Sequence, residues 1–289
     1  MIREVEDSYR EHIKNIARNI VTHYEDAKIC MLAGPSASGK TTTAHFLRDY
    51  LKEFGVNAAI VSMDDFYLAT EDTPTLPDGT KDFETVNALD IELLKSCLKS
   101  VIESGSCMLP RYYFGEGRRE LNVRELNVRD HGFVIVEGIH ALNPVFTKEL
   151  PEGSAIKLYV SVKQQIKDVN GEVISPMDIR LVRRICRDVQ FRATPVERTL
   201  SMWPNVVHGE DMYIRPYRLS ADYTVNSVHI YEPCVLRGAV IPQLRAVPED
   251  SPHYRKAREL DARLMRFEPV DPALVPENSM LREFLGAKA

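Results

Sequence analysis

Five short runs of apolar residues alternate along the chain with segments in which apolar residues recur at helical spacing. Such runs are typical of strands that are buried on both faces of a sheet. Because strands that alternate with helices form parallel sheets, the pattern predicts an α/β fold with a doubly wound, mostly parallel sheet flanked by helices. The runs occupy residues 28–33, 58–63, 133–138, 155–162 and 223–228.

The helical patterns have recognisable ends. Residues 1–27 carry isoleucine and valine at near-helical spacing among charged residues, which predicts an amphipathic helix. Behind the first apolar run, the apolar positions between Phe46 and Phe54 form one helix face that stops at Gly55, a residue common just after helices. Asp90 is the expected N-cap of a further helix.

The last part of the chain, residues 248–289, is rich in proline and charge. Two helical patterns within it predict a helical extension at the periphery, where it is a candidate contact in a homo-oligomer. Residues 120–129 contain the pentad ELNVR twice. Two copies are too few for a repeat fold, so this stretch is expected to be a polar connection.

Composition narrows the class of partner and the compartment. The 289 residues are 44% hydrophobic and 27% charged, which is ordinary for a globular protein. The net charge of −5 offers no basic surface for nucleic acid or an anionic membrane, so neither partner is expected. The five cysteines form no C-x-x-C pair, and no apolar run resembles a membrane span or a secretory signal. A cytoplasmic protein with reduced thiols is expected.

The clearest chemical motif is GPSASGKT, which matches G-x-x-x-x-G-K-[ST], the Walker A pattern. It follows the first predicted strand and opens a helix, as a phosphate-binding P-loop requires; the alternative is a glycine-rich turn that only caps the helix. Backbone N–H groups would surround the β-phosphate, Lys40 would reach the β- and γ-oxygens, and the Thr41 hydroxyl would bind Mg²⁺. The predicted nucleotide-binding residues are Gly34, Ser36, Ala37, Ser38, Gly39, Lys40, Thr41 and Thr42.

Carboxylates follow two of the other predicted strands. Asp64 and Asp65 are consecutive, and in an extended segment consecutive side chains point to opposite faces. Only one of them is therefore expected to face a site. Glu137 ends another apolar run, at the edge of the sheet where P-loop proteins hold Mg²⁺ or its water; the alternative is a solvated acid at a strand end.

Four arginines of the segment DIRLVRRICRDVQFR lie on one helical face. Such a face is usually just solvated. Beside a triphosphate, however, guanidinium groups neutralise the charge that spreads over a transferring phosphoryl group. The four residues are Arg180, Arg183, Arg184 and Arg187.

Five motifs in this order, GPSASGKTT, SMDDFY, PRYYF, FVIVEGI and RLVRRICRD, resemble the uridine kinase and phosphoribulokinase family of P-loop small-molecule kinases. The resemblance covers roughly residues 28–230. It implies a P-loop NTPase-type kinase domain over 28–247, with a small helical lid at about 187–210, between the helix of 1–27 and the extension of 248–289. Both flanks resemble the kinase portion of a larger nucleoside-kinase group, whose members can carry an N-terminal module similar to part of threonyl-tRNA synthetase.

The resemblance also implies roles for the acids and cations. Asp64 occupies the D-x-F position, where the family's aspartate accepts the proton of the substrate hydroxyl and helps to hold Mg²⁺ together with Thr41 and Glu137. Asp65 fills the variable position and is expected to be incidental. With Lys40, the arginines implied to approach substrate and phosphates are Arg184, Arg187 and the lid residue Arg192.

The same resemblance outlines an acceptor pocket. Glu84 stands where uridine kinases keep an aspartate for the ribose hydroxyls. The aromatic residues that match the nucleoside pocket are Tyr67, Phe83, Tyr112 and Phe114, although some of them could simply be core. Gly117 and Met202 align with the histidine and glutamine that read the pyrimidine edge in relatives, so the base preference is open.

The predicted activity is ATP- and Mg²⁺-dependent phosphoryl transfer to the 5′-hydroxyl of a nucleoside, with uridine as the first candidate. One alternative is a sugar or sugar phosphate acceptor, as in phosphoribulokinase. The other alternative is a regulator that binds a nucleotide without transferring phosphate.

Overall fold

The computed structural model describes residues 1–23, 26–129 and 132–286. The helices are α1 Ile2–His23, α2 Lys40–Glu53, α3 Ile91–Ser104, α4 Pro176–Phe191, α5 Val196–Tyr213, α6 Glu232–Arg245, α7 Tyr254–Met265 and α8 Arg282–Leu285. The strands are β1 Ile29–Ala33, β2 Asn57–Ser62, β3 Ser106–Tyr113, β4 Arg118–Asn127, β5 Gly132–Glu137, β6 Ala155–Ser161, β7 Ile166–Lys167, β8 Val173–Ile174 and β9 Tyr223–Asn226.

A parallel sheet of five strands in the order β2-β5-β1-β6-β9 forms the centre of the fold. These are the five strands that the apolar runs predict, so the α/β prediction is confirmed. All five residues of β1 are buried, because β1 lies between β5 and β6 and is covered on both faces. The register aligns Ser62 with Glu137, which brings the carboxyl ends of β2 and β5 side by side.

The stretch predicted as a polar connection is instead one strand of a hairpin. Strand β4, which contains the first copy of ELNVR and the first three residues of the second, pairs antiparallel with β3, with an irregular register between Leu109 and Arg111. Most side chains of β4 are exposed, so no burial pattern marks the strand in the sequence. Backbone pairing with β3, rather than a buried face, determines its conformation.

The C-terminal extension does not lie at the periphery. Met280, Leu281 and Phe284 are completely buried and belong to the main apolar core, where α8 packs on α4. At the other end of the chain, α1 packs on α2, and the hydroxyls of Tyr9 and Thr43 lie 2.6 Å apart. None of the helices in the described part of the chain has the length and apolar character needed to cross a bilayer.

Candidate active site

The predicted phosphate loop joins β1 to α2 in a conformation that only a few residue types adopt. Gly39 is left-handed, with φ of 85°, and Ala37 also has a positive φ of 59°. A Cβ on Gly34 would lie 2.1 Å from the carbonyl oxygen of Val160. No side chain caps the N-terminus of α2. These features form a cradle of backbone N–H groups, which suits an anionic phosphate.

The outer side of the loop is held by arginines of α4. Arg180 Nε donates to the carbonyl of Ser36 at 3.0 Å, and Arg183 Nη1 donates to the carbonyl of Ala37 at 3.2 Å. Arg184 Nη1 donates to the Ser36 hydroxyl at 3.0 Å. Three arginines within little more than one turn of α4 therefore fix the position of the phosphate loop.

The first residues of α2 contact the C-terminal extension. Glu283 accepts a hydrogen bond from the Thr42 hydroxyl at 3.1 Å. Met280 lies so close to Gly39 that a Cβ there would be 2.9 Å from its side chain. Thr41, by contrast, is exposed. Sequence reasoning missed the contribution of Met280 and Glu283, since no local pattern links residues so far apart.

The two consecutive aspartates diverge because a short 3-10 helix, Met63–Phe66, follows β2. Ser62 caps this helix by accepting from the Asp64 amide at 3.3 Å, and it donates to Glu137 Oε1 at 3.1 Å. The Asp65 carboxylate lies 3.9 Å from Arg111 Nε. The turn therefore places Asp64 near Glu137 and directs Asp65 toward the β3–β4 hairpin.

The charges of this site shift one another's pKa. Burial and, to a smaller extent, the charge of Asp64 raise the pKa of Glu137 to about 7, against the opposing charge of Lys40. Asp64 is exposed to solvent, yet the surrounding protein removes part of its hydration and raises its pKa against the opposing charges of Lys40, Arg192 and Arg187. The pKa of Lys40 is lowered by burial, while Glu137 and Asp64 counteract the effect.

The arginines at the end of α4 share one carboxylate. Asp188 lies 3.3 Å from Arg184, 3.4 Å from Arg187 and 3.6 Å from Arg192, and it accepts from the Thr199 hydroxyl at 3.2 Å. Asp188 itself is buried. It was not among the predicted site residues, although its position four residues after Arg184 in a helix is a signal for such a pair.

The other two arginines of the predicted face are structural. Arg180 pairs with Glu210 at 2.6 Å, and Arg183 pairs with Glu232 at 2.6 Å. Both arginines are buried, so the alternative of a solvated face does not hold for them. Tertiary carboxylates from α5 and α6 surround the first turns of α4, and the helix pattern could not reveal them.

The four aromatic residues predicted to line the acceptor pocket form one cluster. The ring of Tyr67 lies 5.9 Å from Phe83, 5.8 Å from Tyr112 and 6.0 Å from Phe114, measured between centroids. The Tyr67 hydroxyl donates to the carbonyl of Phe83. Phe114 is 63% exposed, and this exposed aromatic face is available to a planar ligand.

Glu84 is half-buried beside this cluster. Burial raises its pKa to about 7, and the charge of Arg184 opposes the shift. A Cβ on Gly209 of α5 would lie 2.6 Å from Glu84 Cβ, so α5 forms the wall behind this carboxylate. Burial also lowers the pKa of the neighbouring His140 to about 4, so this histidine is uncharged near neutral pH.

Gly117 and Met202, which align with base-reading residues of relatives, carry no side chain that hydrogen-bonds to a base. A Cβ on Gly117 would lie 2.4 Å from the Thr70 hydroxyl, which leaves no space for a larger side chain. Met202 is an exposed apolar residue of α5. The nearest polar pair is Thr70 and Tyr112, whose hydroxyls are 3.2 Å apart.

The donor set at this edge of the sheet fits Mg²⁺. Asp64 and Glu137 provide carboxylate oxygens, and the exposed Thr41 provides a hydroxyl at the start of α2. Mg²⁺ prefers a few such oxygen ligands and completes its shell with water and substrate phosphates. Asp64, Glu137 and Thr41 are the residues that would hold it.

The chain is similar to known proteins over most of its length. The profile of the Phosphoribulokinase / Uridine kinase family matches residues 29–232. A uridine kinase of Clostridium novyi is 29% identical over 196 residues, which are 67% of this chain and 84% of that protein. Uridine-cytidine kinase-like 1 of Mus musculus is 30% identical over 207 residues, 71% of this chain and 34% of that protein.

Among solved structures, a protein of Silicibacter sp. TM1040 described as a fructose transport system kinase is similar, with a TM-score of 0.52 at 17% identity. The similarity covers 73% of this chain and 98% of that one. At this level of identity, the likeness concerns the fold alone.

Proposed function

The chain belongs to the phosphoribulokinase / uridine kinase family and is therefore an ATP-dependent small-molecule kinase, and we propose that its acceptor is the 5′-hydroxyl of a nucleoside, with uridine as the first candidate. Members of this family act on nucleosides or sugars, and P-loop kinases in general use ATP with Mg²⁺. The named relatives with the same motifs include uridine kinases.

The observation that carries the proposal is the pairing of Glu84 with an aromatic cluster. A carboxylate beside exposed aromatic faces suits a sugar diol joined to a planar base. The pKa of Glu84 is raised not only by burial but also by the negative charges of Asp82 and Asp64. An acidic acceptor side favours a neutral nucleoside, because a phosphorylated sugar would be repelled there.

In the proposed reaction, each charged group has a distinct task. Asp64 accepts the proton of the acceptor hydroxyl, a role that its raised pKa supports. Lys40, Arg187 and Arg192 stabilise the charge on the transferring phosphoryl group, and Arg184 positions the acceptor beside Glu84. Bound Mg²⁺, held by Thr41, Asp64 and Glu137, would neutralise the phosphate charge.

We also propose that residues 187–210 act as the lid. Helix α4 ends at Phe191 and α5 begins at Val196, and the connection between them contains Ala193 with a positive φ of 47°. Arg192 in this connection is half exposed, with 53% of its side chain in contact with solvent. A short connection that carries a half-exposed cation is able to close over bound phosphates without disturbing the buried part of α4.

A sugar acceptor is the second candidate, and one observation favours it. Gly117 and Met202 provide no hydrogen bonds to a pyrimidine, so a site that recognises mainly the sugar could bind an acceptor without a base. The acidic surroundings of Glu84 favour a free sugar over its phosphate. The third candidate is a regulator that binds a nucleotide, and such a protein would not need Asp64 as a proton acceptor.

The test is ADP release in the presence of ATP and Mg²⁺ with separate acceptors. The acceptors are uridine, cytidine, adenosine, guanosine, inosine, ribose, ribulose 5-phosphate and none. We expect ADP release only with a nucleoside, and with uridine or cytidine above the purines. Release with ribose alone, or with ribulose 5-phosphate alone, would replace the proposal by the sugar alternative. ATP binding without acceptor-dependent release would indicate a regulator.

A further inference from the structure

A cavity of about 420 Å³ lies beside the phosphate loop, at the carboxyl end of β6. Its charged and polar walls are Tyr159, Lys163, Arg180, Glu210, Arg215 and Arg218. Val162, Met177 and Leu219 supply apolar surface. The volume is within the range of roughly 300–1,000 Å³ that is typical of small-molecule sites.

The walls of this cavity carry more positive than negative charge. Glu210 is the single carboxylate among the residues that line it, against four cations. Glu210 binds Arg180 at 2.6 Å through one oxygen and lies 3.6 Å from Arg215 through the other. Lys163 and Arg218 are exposed, and neither has a carboxylate within ion-pair distance among residues 1–23, 26–129 and 132–286. The surplus charge is therefore available to an anion.

Arg180 adds an independent observation. The residue is only 4% exposed, and its Nη2 has no hydrogen-bond partner in the described structure. The same side chain donates through Nε to the Ser36 carbonyl, so it connects this cavity to the phosphate loop.

The cavity is separate from the acceptor pocket. Neither Asp64 nor Glu84 lines it. Helix α5 lies between the two, because Gly209 contacts Glu84 while the next residue, Glu210, lines the cavity. A ligand in this cavity would therefore not be an acceptor presented to Asp64.

We propose that this cavity is a binding site for a small organic phosphate ester that acts as an effector. Lys163 and Arg218 hold the phosphate, since Arg180 and Arg215 already have carboxylate partners and a guanidinium group matches phosphate geometry. The Tyr159 hydroxyl and the apolar residues contact the organic part. Because Arg180 also holds the Ser36 carbonyl, occupation of the cavity changes the affinity of the phosphate loop for nucleotide, and the coupling is reciprocal.

Trp203 provides a direct readout. It is the single tryptophan of the chain, and its ring lies 5.5 Å from Arg180 Cζ. Ribose 5-phosphate is the probe, inorganic phosphate and ribose are the comparison ligands, and ionic strength is held constant. The phosphate loop is first saturated with Mg²⁺ and a non-hydrolysable ATP analogue, so that it cannot take up the probe. Calorimetric titration of the same samples measures binding independently of fluorescence.

We expect saturable binding of ribose 5-phosphate to the nucleotide-filled protein, weaker binding of inorganic phosphate and none of ribose. The double variant Lys163→Gln with Arg218→Gln should weaken binding by at least about tenfold, since two phosphate contacts are lost. Both residues are exposed, so the fold should be retained. The matched control Arg255→Gln removes an exposed arginine of α7, far from the cavity lining, and should leave binding unchanged.

Three results would overturn the proposal. The first is no binding by either method. The second is equal binding to the double variant and the original protein. The third is binding that disappears when the ATP analogue is present, which would assign the phosphate to the P-loop. The ADP-release assay with ribose 5-phosphate as a further acceptor shows whether the acceptor pocket takes up the probe, so failure here is distinguishable from failure of the proposed function.

Discussion

The two halves of α4 carry similar arginines in different electrostatic settings. In the first half, Arg180 and Arg183 each have a carboxylate of their own, Glu210 and Glu232 respectively, at 2.6 Å. In the second half and at the residue just after it, three guanidinium groups, those of Arg184, Arg187 and Arg192, share the single carboxylate of Asp188. The first half is neutral by pairing, whereas the second half has unbalanced positive charge.

The difference separates structural from ligand-binding arginines. The acids that could balance the second half are Asp64, Glu84 and Glu137, and the pKa of each is raised rather than lowered. They are therefore not neutralised by close ion pairs with these arginines. Unpaired charges of both signs meet at the catalytic edge, which suits a site that binds a polyphosphate and a metal between them. The ratio of carboxylates to guanidiniums is a better guide to function than position on a helix face.

The strongest test compares one arginine from each half. Arg183→Leu should lower the free energy of unfolding by about 3–5 kcal/mol, because Glu232 remains as an uncompensated buried charge. Arg187→Leu, the matched control, should change stability by less than about 1 kcal/mol but reduce kcat. Urea denaturation and steady-state kinetics measure the two effects. Equal stability losses in both variants would remove the distinction between the halves.

Asp64→Asn tests one of the carboxylates that face the unpaired arginines. The variant should retain ATP binding, because the phosphate loop is unchanged, but lose the proton acceptor. We expect kcat to fall by about 10²-fold or more. Equilibrium binding of a labelled ATP analogue and initial rates provide the two measurements. Turnover near that of the original protein would show that another group accepts the proton.

Glu84 should make acceptor binding dependent on pH. Its pKa rises from the usual 4.5 to about 7, so the carboxylate form that accepts the diol becomes scarce below that pH. The KM for the nucleoside should therefore increase about tenfold per pH unit below about 7. Glu84→Gln should give a higher KM that is flat with pH. A KM of the original protein that does not vary with pH would exclude Glu84 from the acceptor contact.

The raised pKa of Glu84 also predicts an effect on the stability of the fold. Because the folded-state pKa of Glu84 is raised, the folded protein holds this proton more firmly, and ionisation of Glu84 lowers stability as the pH rises from 4.5 to about 7. Glu84→Gln should therefore gain stability relative to the original protein above about pH 7, by about 1–2 kcal/mol after allowance for solvent. Thermal denaturation of both proteins at two pH values measures this gain; a variant less stable than the original protein at the higher pH would contradict it.

The smallest effect is expected for Asp65→Asn. Its carboxylate is directed toward Arg111, and the exposed pair at 3.9 Å contributes little. Turnover should remain within about twofold of the original value, since no reacting group is touched. The variant is also the matched control for Asp64→Asn. A large loss of kcat would exchange the roles assigned to the two aspartates.

Much of the fold could be predicted from local pattern, because buried parallel strands and amphipathic helices each have a characteristic spacing. The five strands, the cap at Asp90 and the end of α2 near Gly55 follow these rules. The hairpin strand β4 was missed because its side chains are mostly exposed and give no burial signal. The sharing of Asp188 by three arginines was missed because one helix pattern cannot show which charges are paired elsewhere.

The sequence by itself determined the chemistry of the central motif. A phosphate loop requires specific glycines, a lysine and a threonine in consecutive positions, and its geometry is local. The tertiary structure alone decided which arginines are buried in pairs, where Asp65 is directed, and that Met280 and Glu283 contact the start of α2. The reason is physical: backbone geometry depends on neighbours in the chain, whereas desolvation and charge pairing depend on residues that only folding brings together.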